Sequence, residues 1–261
     1  MASKKEIWNK REMYVVKSNE LIQHSRYSLT LQQQRIVLFA ISKIRPMDTI
    51  YTEYEFSIVE LCRVCGLNID DGGGYYYSAI KEDLLKLTNR EWGLLPDGSE
   101  KTISWIGDVE MRPQDATVKI RFNPNMEPFL FDLKQRYTQY RLETALSFKS
   151  TYTIRLYELL RSFTTQRNLE EGLPKIKTLT IEEVRKRLDV EGYPAWYDFE
   201  RYVLRKAVAE INTCAEDMNI QYIANRNGRK MESITFTIAP AYVRQRVGAR
   251  LEKKKRLDKN L

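Results

Sequence analysis

The chain has 261 residues, of which 43% are hydrophobic and 30% charged, enough apolar content for one large domain or two small ones. No run of eighteen apolar residues occurs and Met1–Lys10 lacks the apolar stretch of a secretory signal, so no membrane span and a cytoplasmic location are expected. The net charge is +8, but it gathers at the ends: Met1–Arg11 holds four basic residues and one acid, Arg244–Leu261 holds eight and two, and the body between is close to neutral.

In chain order, Thr30–Ile44 carries Leu31, Ile36, Phe39, Ala40 and Ile44 at helical spacing. Phe56 leads into Ser57, a natural N-cap, with Glu60 placed to complete a capping box, and a short amphipathic helix follows, ending near Gly66. A Gly- and Asp-containing turn over Asn68–Gly74 precedes a longer helix, Tyr75–Arg90, with Tyr77, Ile80, Leu84 and Leu87 on one face. Strand-like sequence then runs over Glu91–Leu95, Thr102–Met111 and Ala116–Phe122, with a turn at Pro96-Asp97-Gly98. Asn123-Pro124-Asn125 stops the last strand, and Phe129–Tyr140 reads as a connecting helix.

The same order then returns. A helical region, Leu142–Phe163, carries Leu146, Ile154, Leu156, Leu159 and Leu160. Leu179 and Thr180, with Glu183 three residues on, open a second capped short helix that ends near Asp189. A turn over Glu191–Ala195 leads into a long helix, Tyr197–Met218, with Phe199, Val203, Leu204, Ala207, Val208 and Ile211 inward. Two strands, Ile220–Ala224 and Ser233–Ile238, flank a turn around Asn225-Arg226-Asn227-Gly228. Helix, short helix, turn, long helix and β-hairpin, twice over, predict an α+β chain of two tandem winged-helix domains with pseudo-repeated topology. The expected boundaries are a basic flexible N-terminus over 1–14, domain 1 over 15–128, the connecting helix over 129–141, domain 2 over 142–240, and a basic tail over 241–261.

A winged helix reads DNA by laying its second motif helix in the major groove, with base edges met by outward side chains. In the second long helix the apolar positions leave Asp198, Arg201, Tyr202, Arg205 and Lys206 outward, and Arg201 and Arg205 lie four apart on one face. In the first, Tyr76, Ser78 and Lys81 point away from Ile80 and Leu84, with less charge. Phosphate contacts are expected from Arg226, Arg229 and Lys230 on the second hairpin tip, although exposure alone also favours charge there. Lys149 and Ser150 precede a helix, where backbone N–H groups favour an anion, and Lys134–Arg167 holds seven basic residues and two acids.

Several chemistries lack their parts. The single histidine, His24, cannot supply the histidine pair of a rolling-circle initiator or a triad base with a spaced partner. Gly72-Gly73-Gly74 is followed by tyrosines rather than Lys-Ser/Thr, so no P-loop is present. Cys62-x-x-Cys65 is half a metal site at most, and both cysteines read as parts of a short helix with at least one facing the core. No catalytic residue, metal or cofactor is expected.

Val16–Ile22 followed by Leu29–Ile36, the stretch Lys149-Ser150-Thr-Tyr-Thr-Ile-Arg-Leu-Tyr-Glu158, and Phe199–Ile211 together resemble the iteron-binding plasmid replication initiators, a family that includes RepE/RepA-like and π-type proteins. The resemblance runs from about Val15 to Ile238. It implies a non-enzymatic protein that binds direct repeats of double-stranded DNA at a plasmid origin as a monomer, one winged helix at each end of a site. It further implies opening of adjacent A·T-rich DNA, recruitment of a host initiator and replicative helicase, and a homodimer, formed through the first domain in equilibrium with the monomer, that represses its own gene. A tandem winged-helix transcriptional regulator and a DNA-processing nuclease are the alternatives.

Overall fold

The structure, a computed structural model, describes residues 13–66, 73–89, 91–94, 101–112 and 114–241. Nearly all of both expected basic ends, nearly all of the Asn68–Gly74 turn and the Pro96-Asp97-Gly98 turn lie outside the described residues, while Tyr14, expected in the flexible N-terminus, already stands in a strand. The chain divides into two compact units between Thr151 and Tyr152.

The first unit begins with β1 (Tyr14–Ser18), α1 (Asn19–His24) and the two-residue β2 (Ser25–Arg26). Next comes α2 (Leu31–Ile41), capped by a reciprocal box between Thr30 and Gln33. The Gln33 amide also donates to Asp83 Oδ1 at 3.0 Å, which ties α2 to α4 (Gly73–Asn89). Between these helices lie β3 (Tyr54–Ser57) and α3 (Ile58–Val64). Ser57 caps α3 as expected, while the Glu60 carboxylate reaches Lys43 Nζ at 2.6 Å. Cys62 and Cys65 are both buried, at the end of α3 and its C-cap, and burial raises the Cys62 thiol pKa.

After α4 the chain forms β4 (Glu91–Leu94), β5 (Lys101–Ser104), β6 (Ile106–Arg112) and β7 (Thr117–Phe122). The expected single strand Thr102–Met111 is therefore two strands in two sheets: β5 joins β2 and β4, whereas β6 joins β7 and β3. The break falls at Trp105, which is fully buried with its ring edge-on to Tyr27 at 5.1 Å, so the chain turns to seat the indole. Val118, Ile120 and Phe122 alternate inward on β7, with Val118 opposite Phe56 of β3, whose ring lies edge-on to Phe39 of α2 at 5.2 Å.

Residues 129–141 do not form the expected connecting helix. A short α5 (Glu127–Leu130) ends at Phe131, and β8 (Tyr137–Arg141) pairs antiparallel with β1, Tyr14 opposite Arg141 and Ser18 opposite Tyr137. Thr138 and Tyr140 are buried and their neighbours exposed, a period of two that suits a strand and not a helix. The segment belongs to the first unit. The expected Leu142–Phe163 helical region is two helices, α6 (Leu142–Ser147) and α7 (Thr151–Arg161), interrupted where Phe148 turns extended and buries its ring.

In the second unit α7 is buried almost all round, and α8 (Gln166–Glu170) leads to β9 (Lys175–Thr180) and α9 (Ile181–Leu188). Thr180 and Glu183 form the complete capping box. Two helical pieces, α10 (Trp196–Phe199) and α11 (Arg205–Cys214), continue one another through a π-helical stretch, Glu200–Leu204. β10 (Met218–Asn227) and β11 (Lys230–Pro240) close the unit. Sheet order is β10-β11-β9 here and β6-β7-β3 in the first unit. In both, a strand ahead of the short helix pairs with the second hairpin strand, and no sheet among the described residues crosses from one unit to the other.

Candidate nucleic-acid interface

The second unit's motif is set by its turn. α9 ends at Asp189, which takes the left-handed conformation, and Val190 N–H returns to Arg185 O at 2.9 Å. Arg185 then reaches forward: its two terminal nitrogens donate to the carbonyls of Tyr193 and Gly192, both at 2.7 Å. Its guanidinium also lies 5.0 Å from the Phe199 ring centroid. One side chain thus ties the short helix, the turn and the start of the long helix together.

Phe199, Val203, Leu204, Ala207, Val208 and Ile211 are all buried, as their spacing predicts. The opposite face carries Tyr197, Arg201, Tyr202, Arg205 and Lys206, all exposed, with Asp198 half-buried. Tyr202 is a platform: Tyr193 stacks on it at 5.4 Å, and Arg201 and Lys206 lie over its ring at 5.3 and 5.4 Å. Arg201 also sits 6.0 Å from the Tyr197 ring. These contacts hold two cations on the solvent side of the helix without cancelling their charge.

Arg205 is held differently. It donates to Glu200 Oε1 at 3.0 Å, and the Tyr222 hydroxyl donates to the same oxygen at 3.0 Å. The hydrogen bond from Arg205, against some burial and with help from Tyr222, holds the Glu200 carboxyl below the usual carboxylate range. Burial raises the Tyr222 phenol, with the Glu200 hydrogen bond adding to the rise. A second tie joins the long helix to β10, since Asn212 and Ile220 exchange two hydrogen bonds of 2.7 Å.

At the hairpin tip, Arg226, Arg229 and Lys230 are exposed. Gly228 has φ +60° and opens a two-residue turn, with Asn227 paired to Lys230 across it. One acid is close: Glu232 accepts from the Asn227 amide at 3.2 Å. Lys149 is exposed and Ser150 half-buried just ahead of α7. In the first unit Ser78 and Lys81 are exposed on α4, while Ile80 and Leu84 are buried; the Tyr76 side chain lies outside the described residues.

Two of the seven basic residues counted over Lys134–Arg167 are not available to phosphate. Arg155 and Arg161 are each 4% exposed. Arg155 donates to Arg187 O at 3.1 and 2.8 Å, and Arg161 pairs with Asp217 at 3.0 Å. Sequence reasoning missed Arg185, Tyr193 and Tyr222, whose roles come from tertiary contacts. Glu200 is missed too, its part depending on the contact with Tyr222 of β10.

Against known families, residues 14–161 match the first winged-helix region (WH1) of the initiator replication proteins, and residues 180–238 match the second (WH2). The chain belongs to the initiator replication protein family. It is 24% identical to a replication initiation protein of Escherichia coli over 232 residues, covering 87% of this chain and 70% of that one. It is 26% identical to the PI protein of Escherichia coli over 144 residues, covering 51% of this chain and 46% of that one. Its fold is that of the Pi initiator protein solved in complex with iteron DNA, with a TM-score of 0.71 over 88% of this chain and 98% of that chain at 19% identity. Two winged-helix domains in tandem are thereby the architecture of this initiator. Among the described residues no helix is long and apolar enough to cross a membrane.

Proposed function

We propose that this initiator binds directly repeated double-stranded DNA, the iterons of a plasmid origin, and performs no chemistry on it. The observation that carries this reading is the outward face of the second unit's long helix. Arg201, Tyr202, Arg205 and Lys206 stand exposed on a helix whose other face is fully buried and whose entry turn is fixed by Arg185. Arg201 and Arg205 are assigned to base edges, with Lys206, Tyr202 and Asp198 beside them. Arg226, Arg229 and Lys230 are assigned to phosphates, as are Lys149 and Ser150 ahead of α7. Tyr76, Ser78 and Lys81 of α4 are the first unit's contribution. Opening of adjacent A·T-rich DNA, recruitment of a host initiator and helicase, and autorepression by a homodimer complete the proposal, supported by family membership.

The test separates reading from holding. Arg201→Ala and Arg205→Ala should each cost about 1–3 kcal/mol on a cognate repeat and less on scrambled duplex. Arg229→Ala and Lys230→Ala should weaken both duplexes alike and lower the salt slope by about 1 each. A phosphate is the same at every step, whereas a guanine edge is not. Helix variants that lose both duplexes in equal proportion would sink the assignment and move base readout to α4.

A further inference from the structure

We propose that Glu200 and Tyr222 are positioning residues that orient Arg205 and so set the sequence selectivity of the second unit's long helix. This rests on the DNA-reading assignment above and goes one layer deeper.

The π-helical stretch makes the arrangement. The Arg205 amide donates to the Glu200 carbonyl, five residues back. In an ordinary α-helix, side chains five residues apart diverge by about 140° around the axis. The wider turn brings them closer around the axis, and the Arg205 guanidinium meets the Glu200 carboxylate at 3.0 Å. Tyr222 comes from β10, its ring 6.4 Å from buried Phe236, and its hydroxyl fixes the same carboxylate oxygen. Glu200 is thus gripped from the hairpin and grips Arg205 in turn.

The exposures fit this order of support. The Glu200 side chain is 19% exposed and that of Arg205 is 63% exposed. One terminal nitrogen of Arg205 is committed to the carboxylate and the Tyr222 hydroxyl also interacts with the guanidinium, yet the side chain stays mostly exposed, so donors remain for a guanine edge. An arginine ordered before it meets DNA loses less side-chain freedom on binding. The carboxylate also offsets the long-range pull of that arginine on any phosphate, so the trio favours base contact over indiscriminate attraction. Arg201 lies instead against the Tyr197 and Tyr202 rings.

The experiment uses the full chain with Glu200→Gln, Tyr222→Phe, Arg205→Ala and the double variant Glu200→Gln/Arg205→Ala. The probes are the duplex that the unmodified chain enriches from a random-sequence library and its scrambled counterpart, compared at equal folded fraction. Glu200→Gln and Tyr222→Phe should each lower the cognate-to-scrambled ratio about two- to tenfold. In the Arg205→Ala background, Glu200→Gln should lower it no further. Equal tightening on both duplexes, as removal of one negative charge would give, overturns the proposal, and so does a loss that persists without Arg205. Tyr222→Phe removes a single oxygen and serves if Glu200→Gln folds poorly. Failure to enrich any duplex would reject the DNA-reading assignment and the selectivity role with it. Normal enrichment with an unmoved ratio in both variants rejects the positioning role alone.

Discussion

Arg155 lies 4% exposed on α7, and its Nε and one terminal nitrogen both donate to one carbonyl, that of Arg187 near the end of α9. Its third nitrogen is 3.9 Å from Glu158, which is fully buried. A helix C-terminus leaves carbonyls without intrahelical partners, and here a buried guanidinium takes one. Arg155→Met keeps the volume but strips the carbonyl and the carboxylate of a cation, so it should cost about 3–5 kcal/mol, read by chemical denaturation. DNA affinity per folded molecule should be unchanged, which marks Arg155 as core rather than interface. Tyr157 beside it is fully buried and donates to Asp217 at 2.9 Å. Burial, then the Asp217 charge, raises its phenol well above the ordinary value. A raised pKa contributes stability that is present below the unfolded phenol's value of about 10 and is lost as pH climbs above it. Denaturation midpoints should therefore fall on the alkaline side, and Tyr157→Phe should flatten that limb; an unchanged limb would assign the alkaline loss elsewhere. Of the stretches that carried the family resemblance, Lys149–Glu158 is thus largely packed core from Thr153 onward.

At the scale of elements, the hairpin turn is the simplest case. Gly228 has φ +60° with open space around its absent Cβ, so a side chain there meets no clash but must enter the left-handed region. Gly228→Val should cost about 1–2 kcal/mol and loosen the tip that carries Arg229 and Lys230, seen as weaker binding to both cognate and scrambled duplex. This turn was legible in the sequence because its signal is local, as were the caps at Ser57 and Thr180 and the buried face of the long helix. The β1–β8 pairing was not, since Tyr14 and Arg141 meet only when the fold closes over the intervening chain. The break at Trp105 was hidden because strand-forming residues stand on both sides of it, and only burial of the indole decides where the chain turns. The π-helical stretch left no trace, because Phe199, Val203, Leu204, Ala207 and Val208 keep ordinary helical spacing. That is why Arg201 and Arg205 read as one matched pair when only Arg205 carries a carboxylate partner and Arg201 rests on tyrosine rings.

For the whole molecule the question is where affinity for DNA as a polymer comes from. The net charge of +8 resides in the ends of the sequence, and the body is close to neutral. The ends can therefore add general attraction to phosphate without belonging to the proposed reading helix. If about 6–10 phosphates are contacted, affinity should drop by about 10³–10⁵ between 50 and 200 mM salt, since each neutralised phosphate releases counterions. A chain ending at Ala241 loses eight basic residues and two acids. It should show a shallower slope of log affinity against log salt on cognate and scrambled duplex alike, with their ratio retained, because charge attracts every phosphate equally and carries no sequence information. The wing variants Arg229→Ala and Lys230→Ala should lower the slope of the truncated chain further, their contacts being made from a folded hairpin. A truncation that collapses the ratio instead would assign base recognition to the tail, and a flat salt response of the full chain would reject phosphate tracking altogether.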